Sequence, residues 1–172
     1  MSAIAGSLVF LLVVLGTVAV LVPLMISIRQ IHAPLLHVEA FRAVGILLLV
    51  TAAPLLLDSF ARFALQGRGT PVPLAPPVNL VVTGFYRRVR NPMYIGVLVT
   101  IVGMGLQLGE ARIFAYAVFV ALMFATFVRV YEEPRLRRTF GAQYDLFCAN
   151  VPRWVPRLRP WRGGEAHGSN AR

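Results

Sequence analysis

The chain has 172 residues, 58% of them hydrophobic, and carries a formal net charge of +10, with a mean hydropathy of +0.71. A soluble domain holds roughly 45–50% apolar residues, so this composition points to a membrane protein, and the length suits one helical unit rather than two domains. All 17 basic residues are arginine and most border apolar runs, which reads as membrane topology and lipid headgroup contact and not as nucleic-acid binding, for which no recognition motif is present.

In chain order, the first apolar run extends from Ile4 to Ile28. As a helix it would be roughly 37 Å long, more than a hydrocarbon core of ~30 Å. No basic stretch precedes it and no small-residue cleavage site follows it, which predicts a membrane anchor (residues 4–28) and not a signal peptide. Pro23 is expected to kink or end this helix near one interface. A second span is expected over 41–63, from about Phe41 to Phe63, interrupted by Pro54 and Asp58. Asp58 stands four residues before Arg62, so the two can pair on one helix face as a structural ion pair.

Residues 66–84 read as a loop, because four prolines between Pro71 and Pro77 forbid a regular helix. A third span is expected over 93–108 and a fourth over 113–130, joined by "GEAR" as an antiparallel hairpin. Gly105 and Gly109 have the GxxxG spacing that lets helices approach closely. "GMGLQLG" lacks the spacing and context of a dinucleotide-binding loop. Pro134 suits the first turn of a further helix. There Leu136, Phe140, Tyr144 and Phe147 share one face, giving an amphipathic interfacial helix over about 134–149. Residues 1–157 thus read as a single all-α membrane domain of about four spans, with 158–172 as a disordered tail.

Arginine placement orients the bundle. The 62–90 region has five arginines and the segment from Arg129 onward nine, against two in 29–42 and one in 109–112. The positive-inside rule puts both rich segments, and with four spans both termini, in the cytoplasm; the expected location is a bacterial inner membrane. The one cysteine, Cys148, can form no internal disulfide, and no spaced His/Cys set suggests zinc or another metal. Cys148 is expected to be a small buried or interfacial side chain.

This topology gathers "GFYRRVRNPMY" at the mouth of the third span, "YEEP" at the end of the fourth, and "FGAQYDLF…VPR" beyond it. Glu132 and Glu133 are adjacent, so one of them is expected to face inward. With arginines on every side, the plain reading is a salt-bridged helix end. The functional reading is a pocket with both signs of charge, roofed by Tyr86, Tyr94 and Tyr144, suited to a zwitterionic ligand with an aromatic ring.

The pattern over about 79–157 resembles the isoprenylcysteine carboxyl methyltransferase and phospholipid methyltransferase superfamily of integral membrane enzymes. The resemblance implies S-adenosylmethionine as cofactor and a lipophilic acceptor in or at the bilayer. The family's Arg-(His/Asn)-Pro-x-Tyr element falls on Arg90, Asn91, Pro92 and Tyr94, and implies a role in holding the cofactor. The paired acids fall on Glu132 and Glu133. The trailing Tyr and Val-Pro-Arg element fall on Tyr144, Val151, Pro152 and Arg153, which would close the pocket from the cytoplasm. Asn91 stands where many members have His, Phe85 where Pro is common, and Phe147 where a second Tyr is frequent.

The chemistry of the residues agrees with that resemblance. Arg90 or Arg153 could pair with the cofactor carboxylate, Glu132 or Glu133 with its ammonium, and Tyr94 or Tyr144 with its adenine or sulfonium. The amides opening the third span at Asn91 to Tyr94 would favour an anion. Arg90 and Glu133 are the expected catalytic residues, Glu133 acting as a base only if the acceptor is an amine. An isoprenylcysteine-type carboxylate acceptor leads, with a phosphatidylethanolamine-type amine as the alternative. The competing class is a non-catalytic membrane assembly or interaction module, and the oligomeric state is left open.

Overall fold

In the computed structural model, residues 13, 15–27, 39–67 and 79–163 are described, and among them the fold is all helical, with no strand. The helices are α1 (Thr17–Ile26), α2 (Ala40–Gln66), α3 (Pro92–Leu108), α4 (Arg112–Phe140) and α5 (Ala142–Asn150), with a short 3₁₀ turn at Gly84–Arg87. The connection at 29–38, most of the expected 66–84 loop and the end of the tail fall outside the described residues.

Helices α2 and α4, of 27 and 29 residues, are long and apolar enough to cross a membrane. Much of their apolar surface is turned outward: Leu47, Val50 and Leu57 on α2 and Val118, Phe119 and Leu122 on α4 are exposed. In water such a surface would be unfavourable; against lipid it costs nothing. The other two expected spans differ. Helix α3 is apolar but has 17 residues, and the run at 4–28 is described only in part, with α1 lying within the described stretch.

Helices α2 and α3 touch backbone to backbone. A Cβ built on Gly45 would lie 3.0 Å from the Gly103 carbonyl oxygen, and one on Gly103 would lie 3.1 Å from that of Gly45. Gly96, seven residues before Gly103 on α3, instead receives the Leu56 side chain of α2. The expected GxxxG pair is only half used for a close helix approach. Gly105 receives Phe114 and Ile113 of α4, while Gly109 is a helix cap with φ 70°, a left-handed position that favours glycine.

The turn after Gly109 is tied by Glu110, which is buried. It accepts hydrogen bonds from the Arg112 amide at 3.0 Å and from the Arg112 guanidinium at 2.9 and 2.8 Å. The hairpin thus brings the start of α3 alongside the far half of α4. Val97, Ile101 and Leu108 of α3 pack with Ile113, Ala117 and Val120 of α4 to form the main core.

Pro134 does not begin a new helix. α4 runs on to Phe140 through a π turn at Val128–Glu132, in which the Glu133 amide bonds back to the Val128 carbonyl. The wider turn makes room at the point where a proline would otherwise break an α-helix. The break comes at Gly141, with φ 50°. The amphipathic stretch expected as one helix over 134–149 is therefore two segments. Tyr144, Phe147 and Val151 then form a second core with Leu80, Val82, Leu136, Phe140, Cys148 and Trp161.

The chain after α5 is a strap laid along residues 87–90. The Arg90 amide donates to the Pro152 carbonyl at 2.9 Å, the Arg157 amide to Arg88 at 2.9 Å and the Trp161 amide to Arg87 at 2.8 Å. The expected disordered tail from 158 therefore starts too early: residues 158–163 are fastened by backbone bonds that the composition of "RLRPWRG" does not announce.

Candidate active site

The start of α3 is set by Asn91 and Pro92. Pro92 occupies the first helical position, where its missing N–H is no loss. Asn91 does not cap the helix with its side chain; its Nδ2 donates instead to the Arg153 carbonyl at 3.1 Å. The residue that stands where a His is common thus ties the strap to the helix mouth.

A cavity opens between this helix start, the π turn of α4, α5 and residues 79–81. Its volume is about 120 Å³, below the ~300–1,000 Å³ of small-molecule sites, and it opens to the outside through its mouth. Tyr86, Arg90, Asn91, Pro92, Tyr94, Glu132, Glu133 and Tyr144 all line it. Arg153 is not in the wall, but it holds a wall residue from behind.

That residue is Glu133. Arg153 donates from Nε to its Oε1 at 2.6 Å and from Nη2 to its Oε2 at 2.8 Å, and Arg90 Nη1 donates to Oε1 at 3.1 Å. The Glu133 and Arg90 side chains are only 11% and 12% exposed. A carboxylate at this depth needs its partners, and here both oxygens are engaged. The Glu133 hydrogen bond is also the main reason that the Arg153 pKa is raised, its proton held more tightly. Arg90 Nη1 contacts Cys148 Sγ as well, at 2.7 Å, while Arg90 Nε is buried without a hydrogen-bond partner.

Glu132 is held differently. Tyr94 donates its phenolic hydrogen to Glu132 Oε2 at 2.9 Å and is the one hydrogen-bond donor to that carboxylate among the described residues. Both acids line the cavity, whereas adjacent positions on a regular α-helix diverge and one was expected inward. The π turn ending at Glu132 has more residues per turn, so successive side chains diverge less.

Burial keeps the Tyr86 and Tyr144 phenols protonated. Burial raises the pKa of Tyr86, with added push from Glu132 and Asp58. Burial likewise raises that of Tyr144, with Cys148 and Glu133 adding and Arg90 opposing. Tyr94 also packs its ring against Phe124 at 4.6 Å between centroids. Phe147, where a Tyr is frequent, is buried against Trp161 at 5.9 Å, an apolar setting in which a hydroxyl would need a partner.

Asp58 and Arg62 pair at 2.8 Å. They brace the 3₁₀ turn that carries Tyr86: the Phe85 amide points to Asp58 Oδ2 at 3.5 Å, a bond a proline at 85 could not make. Arg62 lies so close to Gly84, with φ 55°, that a Cβ there would meet its Nε at 1.9 Å.

Sequence reasoning missed part of the wall. Tyr131 and Arg135, one turn apart on α4, line the cavity, with the guanidinium 5.7 Å from the ring centroid and Arg135 Nη1 donating to the Tyr131 hydroxyl at 2.5 Å. Their i, i+4 spacing was a usable signal. Leu80 and Val81, read as loop, also line it, and their apolar character next to the Arg-rich mouth could have marked them.

The sequence pattern of the phospholipid methyltransferase family matches residues 40–143. The match takes in α2, α3, the π turn and the paired acids, and stops one residue before Tyr144. No curated protein and no solved structure matches the chain.

Proposed function

The chain belongs to the phospholipid methyltransferase family, and we propose that it transfers a methyl group from S-adenosylmethionine to a lipid acceptor reaching the cavity from the bilayer. The observation that carries this reading is the convergence of Arg90, Tyr94, Glu132 and Glu133 on one cavity at the joined ends of α3 and α4.

The residues fit the cofactor. Arg90 Nε, buried without a partner, is a donor that a carboxylate would satisfy in a charge-assisted bond. Glu132, with Tyr94 as its donor, has an oxygen left for the ammonium. Tyr94 and Tyr144 offer aromatic surface for the adenine or the sulfonium, a cation–π contact being worth about 0.5–2 kcal/mol. When bound, S-adenosylmethionine supplies a methyl group already activated on sulfur. The protein then has to align the acceptor and exclude water, and positioning of this kind can supply most of a rate enhancement.

Glu133 is a positioning residue in this reading. Both its oxygens accept hydrogen bonds from arginines, so its part is to hold Arg90 and the strap, not to take a proton. The family match favours a phospholipid amine as acceptor. So does the engagement of Arg90 and Arg153 by Glu133, which leaves less cationic surface for an isoprenylcysteine-type carboxylate. The ammonium loses its proton to water at the open mouth before attack.

The same reading has four spans and a cytoplasmic cavity. The arginine-rich segments at 62–90 and beyond 129 support it, as do the lipid-compatible faces of α2 and α4. Incubating purified protein in discs containing phosphatidylethanolamine with methyl-labelled S-adenosylmethionine tests the reaction. Label in the extracted lipid amine supports it; label in no lipid, with no cofactor bound, rejects it.

A further inference from the structure

The strap at 151–163 has a face that the protein does not cover. Val155 is 73% exposed and Leu158 is 92% exposed. Arg159 and Arg162 are exposed beside them, so apolar and cationic side chains alternate along "VPRLRPWR". Exposed leucines are common singly, but this pair lies on a segment that is pinned, not loose. Its backbone is bonded to Arg87, Arg88 and Arg90. Arg88 Nη1 also donates to the Leu158 carbonyl at 2.6 Å, and Arg87 Nε donates to the Trp161 carbonyl at 2.5 Å. Those residues stand immediately before Pro92, the first residue of the apolar helix α3, so the strap is held at the level where that helix begins.

We propose that this strap is a docking surface for an anionic lipid layer. Val155 and Leu158 seat among the upper acyl carbons, and Arg159 and Arg162 meet lipid phosphates. Two independent features select this occupant: charge complementarity, in a chain of net charge +10 whose arginines would each gain from an anionic leaflet, and continuity with α3. The same strap carries Pro152 and Arg153, which bond to Arg90 and Glu133. Lipid that holds the strap down therefore also holds the cavity wall in place. The inference rests on the membrane reading of the chain and not on methyl transfer.

The chain's two tryptophans, Trp154 and Trp161, both lie in the strap, so tryptophan emission, excited selectively over tyrosine, reports on it alone. Full-length protein is placed in phosphatidylcholine discs with and without phosphatidylglycerol, each carrying lipids spin-labelled near the headgroup. The expected result is stronger quenching of tryptophan emission with phosphatidylglycerol present. Val155→Asp/Leu158→Asp lowers that quenching in both lipids. Arg159→Gln/Arg162→Gln removes the phosphatidylglycerol dependence, each arginine changing partition about fivefold, and salt does the same to the wild type. All these side chains are exposed, so unchanged melting temperatures are expected and serve as the fold control. Emission quenched by aqueous iodide and not by labelled lipid overturns the proposal. So does an equal response to a soluble polyanion in phosphatidylcholine discs, which would mark a general anion surface. Failure of the chain to enter discs at all would instead refute the membrane reading.

Discussion

Tyr94 donates to Glu132 across 2.9 Å, joining the first turn of α3 to the π turn of α4. One residue on, Glu133 is gripped by Arg90 and Arg153. Neighbouring acids of the same type thus have different surroundings. One is packed among cations and completes the protein's own structure; the other is held by a neutral phenol and remains open to a ligand cation. This division underlies the predictions that follow.

Glu133→Gln should destabilise the fold. It leaves two arginines, one of them 12% exposed, without their counter-charge, and removing one member of a buried pair costs about 3–5 kcal/mol. Arg153→Met should cost less, because Arg90 still pairs with Glu133. Thermal unfolding in detergent measures both, and equal melting temperatures for Glu133→Gln and wild type would refute the keystone role.

Gly45→Ala should also destabilise. The new Cβ would lie 3.0 Å from the Gly103 carbonyl oxygen and 3.0 Å from Leu106 Cβ, and relieving such overpacking costs about 1–3 kcal/mol. Gly16→Ala, with nothing within 4 Å of its Cβ, should be neutral or gain up to ~1 kcal/mol. Parallel melts of the two variants test the close approach of α2 and α3.

Alkaline pH should weaken the fold through Tyr86 and Tyr144. Burial raises both phenol pKa values, so above an ordinary phenol pKa of about 10 the unfolded chain releases protons that the folded chain keeps. Stability is then unaffected below that pH and falls as pH climbs past it. Tyr144→Phe should flatten part of the fall. Melting temperatures between neutral and strongly alkaline pH check this.

The hairpin and the meeting of "RNPMY" with "YEEP" were legible because short turns and apolar run lengths show directly in the residues. The glycine contacts were legible only in part: Gly105 of the spaced pair does receive α4, but Gly109 is a helix cap, and Gly45, Gly96 and Gly103 carry the α2–α3 approach. Spacing within one helix does not say which partner it faces. The π turn was not legible, since Pro134 is as compatible with a helix start as with a helix that widens just before it. Nor was the strap. Its attachment runs through backbone amides and carbonyls at 87–90 and 152–161, and every sequence has those groups.

The acceptor should reveal itself in the pH–rate profile. A phospholipid ammonium must deprotonate before attack, so kcat/KM should rise about tenfold per pH unit below the amine pKa, ordinarily near 10. A carboxylate acceptor, ionised throughout, would give a flat profile over the neutral range. Rates with saturating cofactor in lipid discs separate the two.

The central claim is that Glu132 and Tyr94 form a cofactor cradle. Isothermal titration of folded protein with S-adenosylmethionine, wild type against Glu132→Gln and Tyr94→Phe, tests it most directly. The account predicts saturable binding by the wild type and about 10–100-fold weaker binding by each variant, the range for losing a hydrogen bond to a charged group, with unchanged helical content. No binding by the folded wild type, or equal affinity in all three proteins, would contradict it.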